Sequence, residues 1–187
     1  MQEGVKVNLS EIASQTNEFA EECLQTNYYG AKRMVEALLP LLQLSNSTRI
    51  INVSSLMGHL KYIPNERAKG VFSEIKSLTE ERLDEVLSEF LKDFKEGTLE
   101  NKGWPVDFSN YSVLKAALNA YTRIVAKEYP SFQVNCICPG YVKTDINGNI
   151  YYQMIEDGAE GPVRLALLPD NGSIGMFFFH NDVTTFD

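Results

Sequence analysis

The first part of the chain repeats apolar residues at the three- and four-residue spacing of an amphipathic helix. Over residues 18–44 this spacing places the following on one side: Phe19, Cys23, Ala31, Met34, Val35, Leu38, Leu39 and Leu42. We therefore predict a long helix packed along one face, with its last turn disturbed by Pro40. The same signal over residues 111–129, closed by Pro130, predicts a second long helix.

Three short apolar runs have the length and the β-branched or aromatic content of buried strands. They span residues 49–55, 132–140 and 174–179. Because these strands alternate with long helices, we predict an α/β fold with a parallel sheet and flanking helices. Cys136 and Cys138 lie two positions apart in the second run, so we expect both on one face, reduced and packed.

The segment of residues 64–105 differs in character, because charged residues dominate it around one helical pattern. Thr79 is a suitable N-cap for that helix, and Gly97 a suitable end. Its apolar stripe consists of Leu83, Val86, Leu87, Phe90, Leu91 and Phe94. We interpret the segment as an insertion whose helix lies on the domain with a solvated outer face; a lid or a blocked subunit interface is the alternative.

Composition excludes several classes of function. The 187 residues carry a net charge of −8, which argues against nucleic acid or an anionic membrane as a partner. The chain lacks an apolar run long enough to span a membrane, and its first residues lack the features of a signal peptide, so we expect a cytoplasmic protein. The two histidines, His59 and His180, have no zinc-site spacing, so we expect no metal.

Tyr111 and Lys115 are the most informative pair, because positions i and i+4 share a helix face. A cation beside a phenol favours the phenolate, so we expect Lys115 to lower the pKa of Tyr111 toward a range useful for acid/base catalysis. The spacing alone is common in helical proteins. The value of this spacing as an indication of function depends on the other residues that occur with it.

Three further features accompany the pair. Ser55 ends the first predicted strand, where open α/β sheets place their ligands, although serine is also common in turns. Asn27 lies inside the first helix, where an amide is either exposed or recruited for hydrogen bonding. The segment Pro139 to Thr144 follows the second strand directly, and Pro-Gly by itself would indicate only a strand end.

Together these residues resemble the short-chain dehydrogenase/reductase family, which has a helical Asn, a Ser-x-x-Gly strand end, Tyr-x-x-x-Lys and Pro-Gly-x-x-x-Thr. The phrases NYYGAKRMVEALLPLL, RIINVSS, NYSVLKAALNAYTR and ICPGYVKTD are similar to the monomeric plant reductases of this family. The resemblance runs from about residue 15 to the end and implies a Rossmann-like fold. It also implies NADPH as cofactor and reduction of a small apolar carbonyl compound, or oxidation of the corresponding alcohol.

The resemblance also implies roles for individual residues. Tyr111 would exchange the proton and contact the cofactor, and Lys115 would bind the nicotinamide ribose and lower the tyrosine pKa. Ser55 would orient the carbonyl oxygen, and Asn27 would hold a relay water. The nicotinamide side of the cofactor would meet the turn after the second strand, through Pro139, Gly140, Val142 and Thr144. Residues that flank the site, and so are candidates for substrate contact or for simple packing, are Met57, Tyr62, Trp104 and Tyr141.

One part of the family pattern has no counterpart in the sequence. The glycine-rich turn that cradles a dinucleotide pyrophosphate does not occur among the twelve glycines. We therefore expect residues 1–187 to represent the C-terminal catalytic part of one reductase domain, N-terminally truncated, with roughly three of the family's seven strands. The alternative to an active reductase is a catalytically silent fragment or interaction module that cannot bind the dinucleotide.

Overall fold

A computed structural model describes residues 16–149, 152–169 and 172–187. The helices and strands, numbered in chain order, are α1 (Asn17–Leu24), α2 (Gly30–Leu42), β1 (Arg49–Val53), α3 (Glu66–Ser73), α4 (Glu80–Lys95), α5 (Ser109–Glu128), β2 (Gln133–Cys138), α6 (Ile155–Ala166), β3 (Phe177–Phe179) and β4 (Asp182–Thr184). A π-helical turn (Gln25–Tyr29) joins α1 to α2, and a 3₁₀ turn (Leu56–Gly58) follows β1.

The sheet has the order β1-β2-β3-β4, with β1, β2 and β3 parallel and β4 antiparallel to β3. Val53 at the end of β1 pairs with Ile137 in β2, and Cys138 pairs with Phe179 in β3. The predicted parallel sheet is confirmed. The strand β4 was not predicted, because three residues with little apolar content carry no strand signal of their own.

All three predicted strands exist, and each is shorter than its apolar run. The third run has Gly175 as its second residue, where the chain bends with a φ of +70°, and only the last three residues of the run form the strand. Cys136 and Cys138 are buried free thiols that pack with Phe177 in one cluster, as their spacing indicated.

The first long helix is continuous along the chain and contains the π turn between α1 and α2. Thr16 caps its start by accepting a hydrogen bond from the Phe19 amide at 3.3 Å. Pro40 lies inside α2 and does not end it, because the amide of Gln43 still donates to the Leu39 carbonyl at 3.0 Å. None of the helices described in the structure is long and apolar enough to cross a membrane.

The helix α5 is the centre of the domain. Seventeen of its twenty residues are buried, which requires cover on every side. The sheet covers one side of α5, and α1, α3 and α4 pack against others. The guanidinium of Arg123 donates to the carbonyls of Phe72 and Ser73 at 2.7 and 2.8 Å, which satisfies the carboxyl end of α3.

The insertion packs into the main core. Thr79 accepts a hydrogen bond from the Arg82 amide at the start of α4, as predicted for an N-cap. The stripe residues Leu83, Val86, Leu87 and Phe90 are at most 1% exposed and join the same cluster as α5. This burial favours the interpretation of α4 as part of the domain over that of a lid.

Candidate active site

The carboxyl ends of β1 and β2 lie at the same edge of the sheet, because the two strands are parallel and in register. Ser55 follows β1 there, and Pro139 follows β2. Tyr111 and Lys115 lie on the first turns of α5, which packs against both strands and against the 3₁₀ turn after Ser55. The fold therefore brings the four residues to one edge.

Lys115 is 9% exposed, and its ammonium donates to the Val53 carbonyl at 3.0 Å. Its Nζ lies 5.7 Å from the centre of the Tyr111 ring, on the ring face. Burial lowers the pKa of Lys115. The ammonium is thus a partly desolvated cation held at the last carbonyl of β1, over the ring of the phenol.

The pKa of Tyr111 is raised, which is opposite to the predicted direction. Burial is the largest cause, and the hydrogen bond with the Ser55 side chain acts the other way. Lys115 is not among the causes, since its ammonium is directed to the Val53 carbonyl. The net shift of the Tyr111 pKa is therefore opposite to the one expected from the lysine, and the phenol is protonated at neutral pH.

The Ser55 hydroxyl is half-buried and already accepts a hydrogen bond from the Met57 amide at 3.1 Å. A hydroxyl has one donor and two acceptor positions, so its O–H stays available for donation. Ser55 also lies within hydrogen-bonding reach of Tyr111. The Ser55 hydroxyl and the Tyr111 phenol can therefore both donate a hydrogen bond to the same carbonyl oxygen.

Asn27 lies in the π turn between α1 and α2 and is half-buried. Its Nδ2 donates to the carbonyl of Cys23 at 3.2 Å and lies 3.7 Å from the Cys23 sulfur. π turns leave backbone groups of a helix unpaired and occur often at functional sites. The Cys23 thiol in turn interacts electrostatically with Lys115 and Tyr111, so Asn27 is connected to the pair through Cys23.

The turn after β2 is held by its own contacts. Gly140 has a φ of +87°, and a Cβ there would lie 2.2 Å from the Gln153 side chain. That side chain donates to the Pro139 carbonyl at 2.6 Å, and Val142 forms a parallel bridge with Gln153. Thr144 precedes a 3₁₀ turn and is half-buried. These contacts fix the turn at the sheet edge.

The candidate substrate residues lie in three different settings. Met57 is half-buried in the turn directly after Ser55, whereas Tyr62 and Tyr141 are 43% and 45% exposed. Trp104 is only 2% exposed, packs on Phe90 at 5.2 Å, and donates its indole N–H to a carboxylate of the insertion at 2.8 Å. The structure does not bring Trp104 to the site, because its ring fills the core of the insertion.

Two polar residues that sequence analysis did not single out lie directly behind the site. Ser54 and Asn119 are 4% and 3% exposed and share a hydrogen bond of 2.6 Å. Asn119 stands four residues after Lys115, so continuing the i, i+4 spacing by one step would have found it. Among the described residues, no group of three or more potential ligands is arranged to hold a metal ion.

Comparison with known proteins decides the family. Residues 99–167, which include Tyr111 to Thr144, match the family model described as enoyl-(acyl carrier protein) reductase. Short-chain dehydrogenase/reductase 1 of Saponaria officinalis is 54% identical over 184 residues, 98% of this chain and 61% of its own. The chain belongs to the short-chain dehydrogenase/reductase family. It spans about three fifths of the length of this relative.

Other members of the short-chain dehydrogenase/reductase family agree in fold. The structure of salutaridine reductase from Papaver somniferum superimposes with a TM-score of 0.87 at 51% identity, over 95% of this chain and 60% of that one. Human carbonyl reductase [NADPH] 1 is 36% identical over 168 residues, 84% of this chain and 58% of its own length. The prediction of a Rossmann-like member of this family is confirmed.

The family uses a nicotinamide cofactor, and the residues at the sheet edge fit the reactive end of one. Lys115 is a buried ammonium whose described hydrogen bond is to a single carbonyl, so it has donors left for ribose hydroxyls. The turn from Pro139 to Thr144 presents backbone groups at the same edge, held by Gln153. The fit concerns this end of the cofactor, where Tyr111 and Lys115 lie.

Lys115→Met is expected to remove a pH-dependent destabilisation of this reductase fold. Because burial lowers the pKa of Lys115, the folded chain holds this proton less tightly than the unfolded chain does. The penalty is fully present at neutral pH and is relieved as pH rises toward the ordinary lysine pKa of about 10.4. The free energy of unfolding, measured in urea between about pH 8 and pH 10, should rise less in the variant.

The matched control for this measurement is Lys127→Met, an exposed lysine at the other end of α5. It should keep the pH slope of the unsubstituted chain. Equal slopes in the unsubstituted chain and in Lys115→Met would contradict the assignment of Lys115 as a buried, destabilising cation.

Proposed function

We propose that the protein is an NADPH-dependent oxidoreductase that reduces the carbonyl group of a small apolar substrate. The observation that carries this proposal is the meeting of Ser55, Tyr111 and Lys115 at the carboxyl edge of the parallel strands. Relatives named salutaridine reductase and carbonyl reductase [NADPH] 1 support the reaction class and the choice of cofactor. We also expect a monomer in the cytoplasm.

The proposed division of labour follows from the chemistry of each group. A bound nicotinamide would supply the hydride. Ser55, whose hydroxyl accepts a hydrogen bond from the Met57 amide, turns its O–H from Tyr111 to the carbonyl oxygen of the substrate and holds it. Tyr111 gives its proton to the same oxygen as negative charge develops there, and an alkoxide is a far stronger base than a phenolate. Stabilisation of that charge in a partly desolvated site supplies much of the rate.

The direction of the Tyr111 pKa suits reduction. A reductase must begin with a protonated acid, and a phenol is protonated at neutral pH at its ordinary pKa as well as at the raised pKa of Tyr111. Lys115 would donate to the ribose hydroxyls and favour the phenolate left after proton transfer. Asn27 lies beside Cys23 behind the pair, where its amide would hold a water that returns a proton to Tyr111.

The cofactor titration tests the proposal directly. The full chain is titrated with NADPH, and with NADH as the matched control, by calorimetry and by nucleotide fluorescence. Saturable binding of NADPH, tighter than that of NADH, is expected. Oxidation of NADPH is then followed in the presence of cyclohexanone and larger cyclic ketones, with the corresponding alcohols and NADP⁺ for the reverse direction.

If the chain is instead catalytically silent, the opposite result is expected. This alternative predicts no saturable binding of either nucleotide and no turnover of any ketone. Binding without turnover would keep the cofactor site and overturn the choice of substrate. Preference for NADH would overturn the assignment of NADPH alone.

A further inference from the structure

The position of Ser55 depends on a side chain of α5 that does not itself reach the substrate side. Asn119 accepts a hydrogen bond from the Ser54 hydroxyl through Oδ1 at 2.6 Å. Through Nδ2 it donates to the Gly58 carbonyl at 3.1 Å. The Asn119 amide thus binds the residue directly before Ser55 and the residue three positions after it.

The two hydrogen bonds of the Asn119 amide are shielded from water. Asn119, Ser54 and Gly58 are all buried, so water does not compete for the hydrogen bonds. A Cβ on Gly58 would lie 2.6 Å from the backbone carbon of Lys115, so the turn sits directly on the helix backbone. The position of the turn on α5 is therefore fixed both by close packing and by the hydrogen bonds of the Asn119 amide.

The same helix places Asn119 in line with the reacting groups. Tyr111, Lys115 and Asn119 are spaced by four residues and share one face of α5. The distance from the Ser55 hydroxyl to the Tyr111 phenol is consequently set by a contact made on the same helix two turns away. A buried asparagine whose donor and acceptor are both hydrogen-bonded fixes the distance between Ser55 and Tyr111. An apolar contact is not directional and would allow this distance to vary.

We infer that Asn119 is a positioning residue that holds Ser55 in alignment with Tyr111, through Ser54 and Gly58. The inference rests on the proposed function, in which Ser55 and Tyr111 act on one carbonyl oxygen. It adds that the buried, hydrogen-bonded amide of Asn119 fixes the alignment of Ser55 with Tyr111.

The test uses the ionisation of Tyr111, which reports the nearness of Ser55 whether or not the chain turns over a substrate. The Ser55 side chain lowers the pKa of Tyr111, so its displacement must raise that pKa further. The full chain is labelled with ¹³C at the tyrosine Cζ and titrated by NMR. The signal of Tyr111, one of nine tyrosines, is identified by its absence in Tyr111→Phe.

Asn119→Leu keeps the branched shape of the side chain and removes both hydrogen bonds. At about pH 10.5 we expect its phenolate fraction at Tyr111 to fall at least about twofold, and Ser55→Ala to give a similar fall. The double variant should fall no further than Ser55→Ala alone, because Asn119 acts through Ser55. If Asn119→Leu does not fold, Ser54→Ala takes its place. This variant removes one of the two contacts and is compared with Ser55→Ala and with the double variant in the same way.

Thr122→Val is the matched control. Thr122 is fully buried on the same helix and accepts a hydrogen bond from Asn52 at 2.9 Å, so the variant loses a comparable bond without touching the Ser55 turn. It should leave the Tyr111 titration unchanged. An unchanged titration in Asn119→Leu, or an equal further fall in the Ser55→Ala background, would overturn the inference.

Activity provides an independent second readout. If the chain reduces ketones, Asn119→Leu should lower kcat about tenfold or more with an unchanged KM for NADPH, and should have no further effect in Ser55→Ala. Absence of turnover in the unsubstituted chain would contradict the proposed function, while the NMR titration would still decide the role of Asn119.

Discussion

Tyr111→Phe is expected to lower kcat for ketone reduction by about 10² to 10⁴-fold, the usual contribution of a positioned general acid. The substitution removes only the phenolic hydroxyl, so the ring face beside Lys115 stays in place. Cofactor affinity should stay within about a factor of two, because the ring of residue 111 and the other proposed cofactor contacts stay in place. Single-turnover oxidation of NADPH, followed by absorbance, separates the two quantities.

Tyr152→Phe is the control for the chemical change itself. Tyr152 is 88% exposed, so loss of its hydroxyl should affect neither kcat nor folding. A Tyr111→Phe variant that kept a near-normal kcat would remove Tyr111 from the role of proton donor. It would leave the family membership untouched.

Phe90→Ala is expected to lower the free energy of unfolding by about 3 to 5 kcal/mol, the cost of emptying a well-packed aromatic site. Phe90 is 1% exposed and packs edge-on against Trp104 at 5.2 Å within the main core. Because α4 shares that core with α5, we expect a single unfolding transition shifted as a whole. Urea unfolding followed by circular dichroism and by Trp104 fluorescence should give coincident midpoints.

The comparison variant is Phe94→Ala, one turn further along α4, where the ring is only partly buried. It should cost less than half as much as Phe90→Ala, because less apolar surface is lost. If the insertion were a lid, Trp104 fluorescence would change at lower urea than the helix signal does. That separation would contradict its interpretation as part of the domain.

The local patterns of the chain were enough to locate most elements. Apolar periodicity predicted α5 and α4, and Thr79 was recognised as the N-cap of α4. These features follow from neighbours within one or two turns, which sequence spacing reports directly. The antiparallel strand β4 was missed, because its pairing with β3 comes from a tertiary contact and leaves no periodic pattern.

The π turn around Asn27 shows a different limit of sequence patterns. A heptad-like stripe indicates one regular helix, and the structure inserts one π turn at Gln25–Tyr29. The amide of Asn27 then donates to the Cys23 carbonyl within that turn. An asparagine in mid-helix was the available signal, but the apolar spacing does not show that the helix widens into a π turn there.

The sequence by itself determined the parallel sheet, the two long helices and the set of residues that identify the family. Spacing also placed Tyr111 and Lys115 on one helix face, because helical geometry is local. Tertiary structure decided what these two groups do to each other. Burial raises the pKa of the phenol, and the Val53 carbonyl takes the lysine ammonium, so the predicted lowering does not occur.

Tertiary structure also decided which buried polar residues lie behind the site. Ser54 and Asn119 are 65 positions apart in the chain, and their hydrogen bond exists only because α5 lies across the end of β1. Trp104 lies near the site in sequence yet is enclosed by the insertion. Hydrogen-bond partners and exposure are properties of the packed chain, since desolvation and distance arise only when separate segments meet.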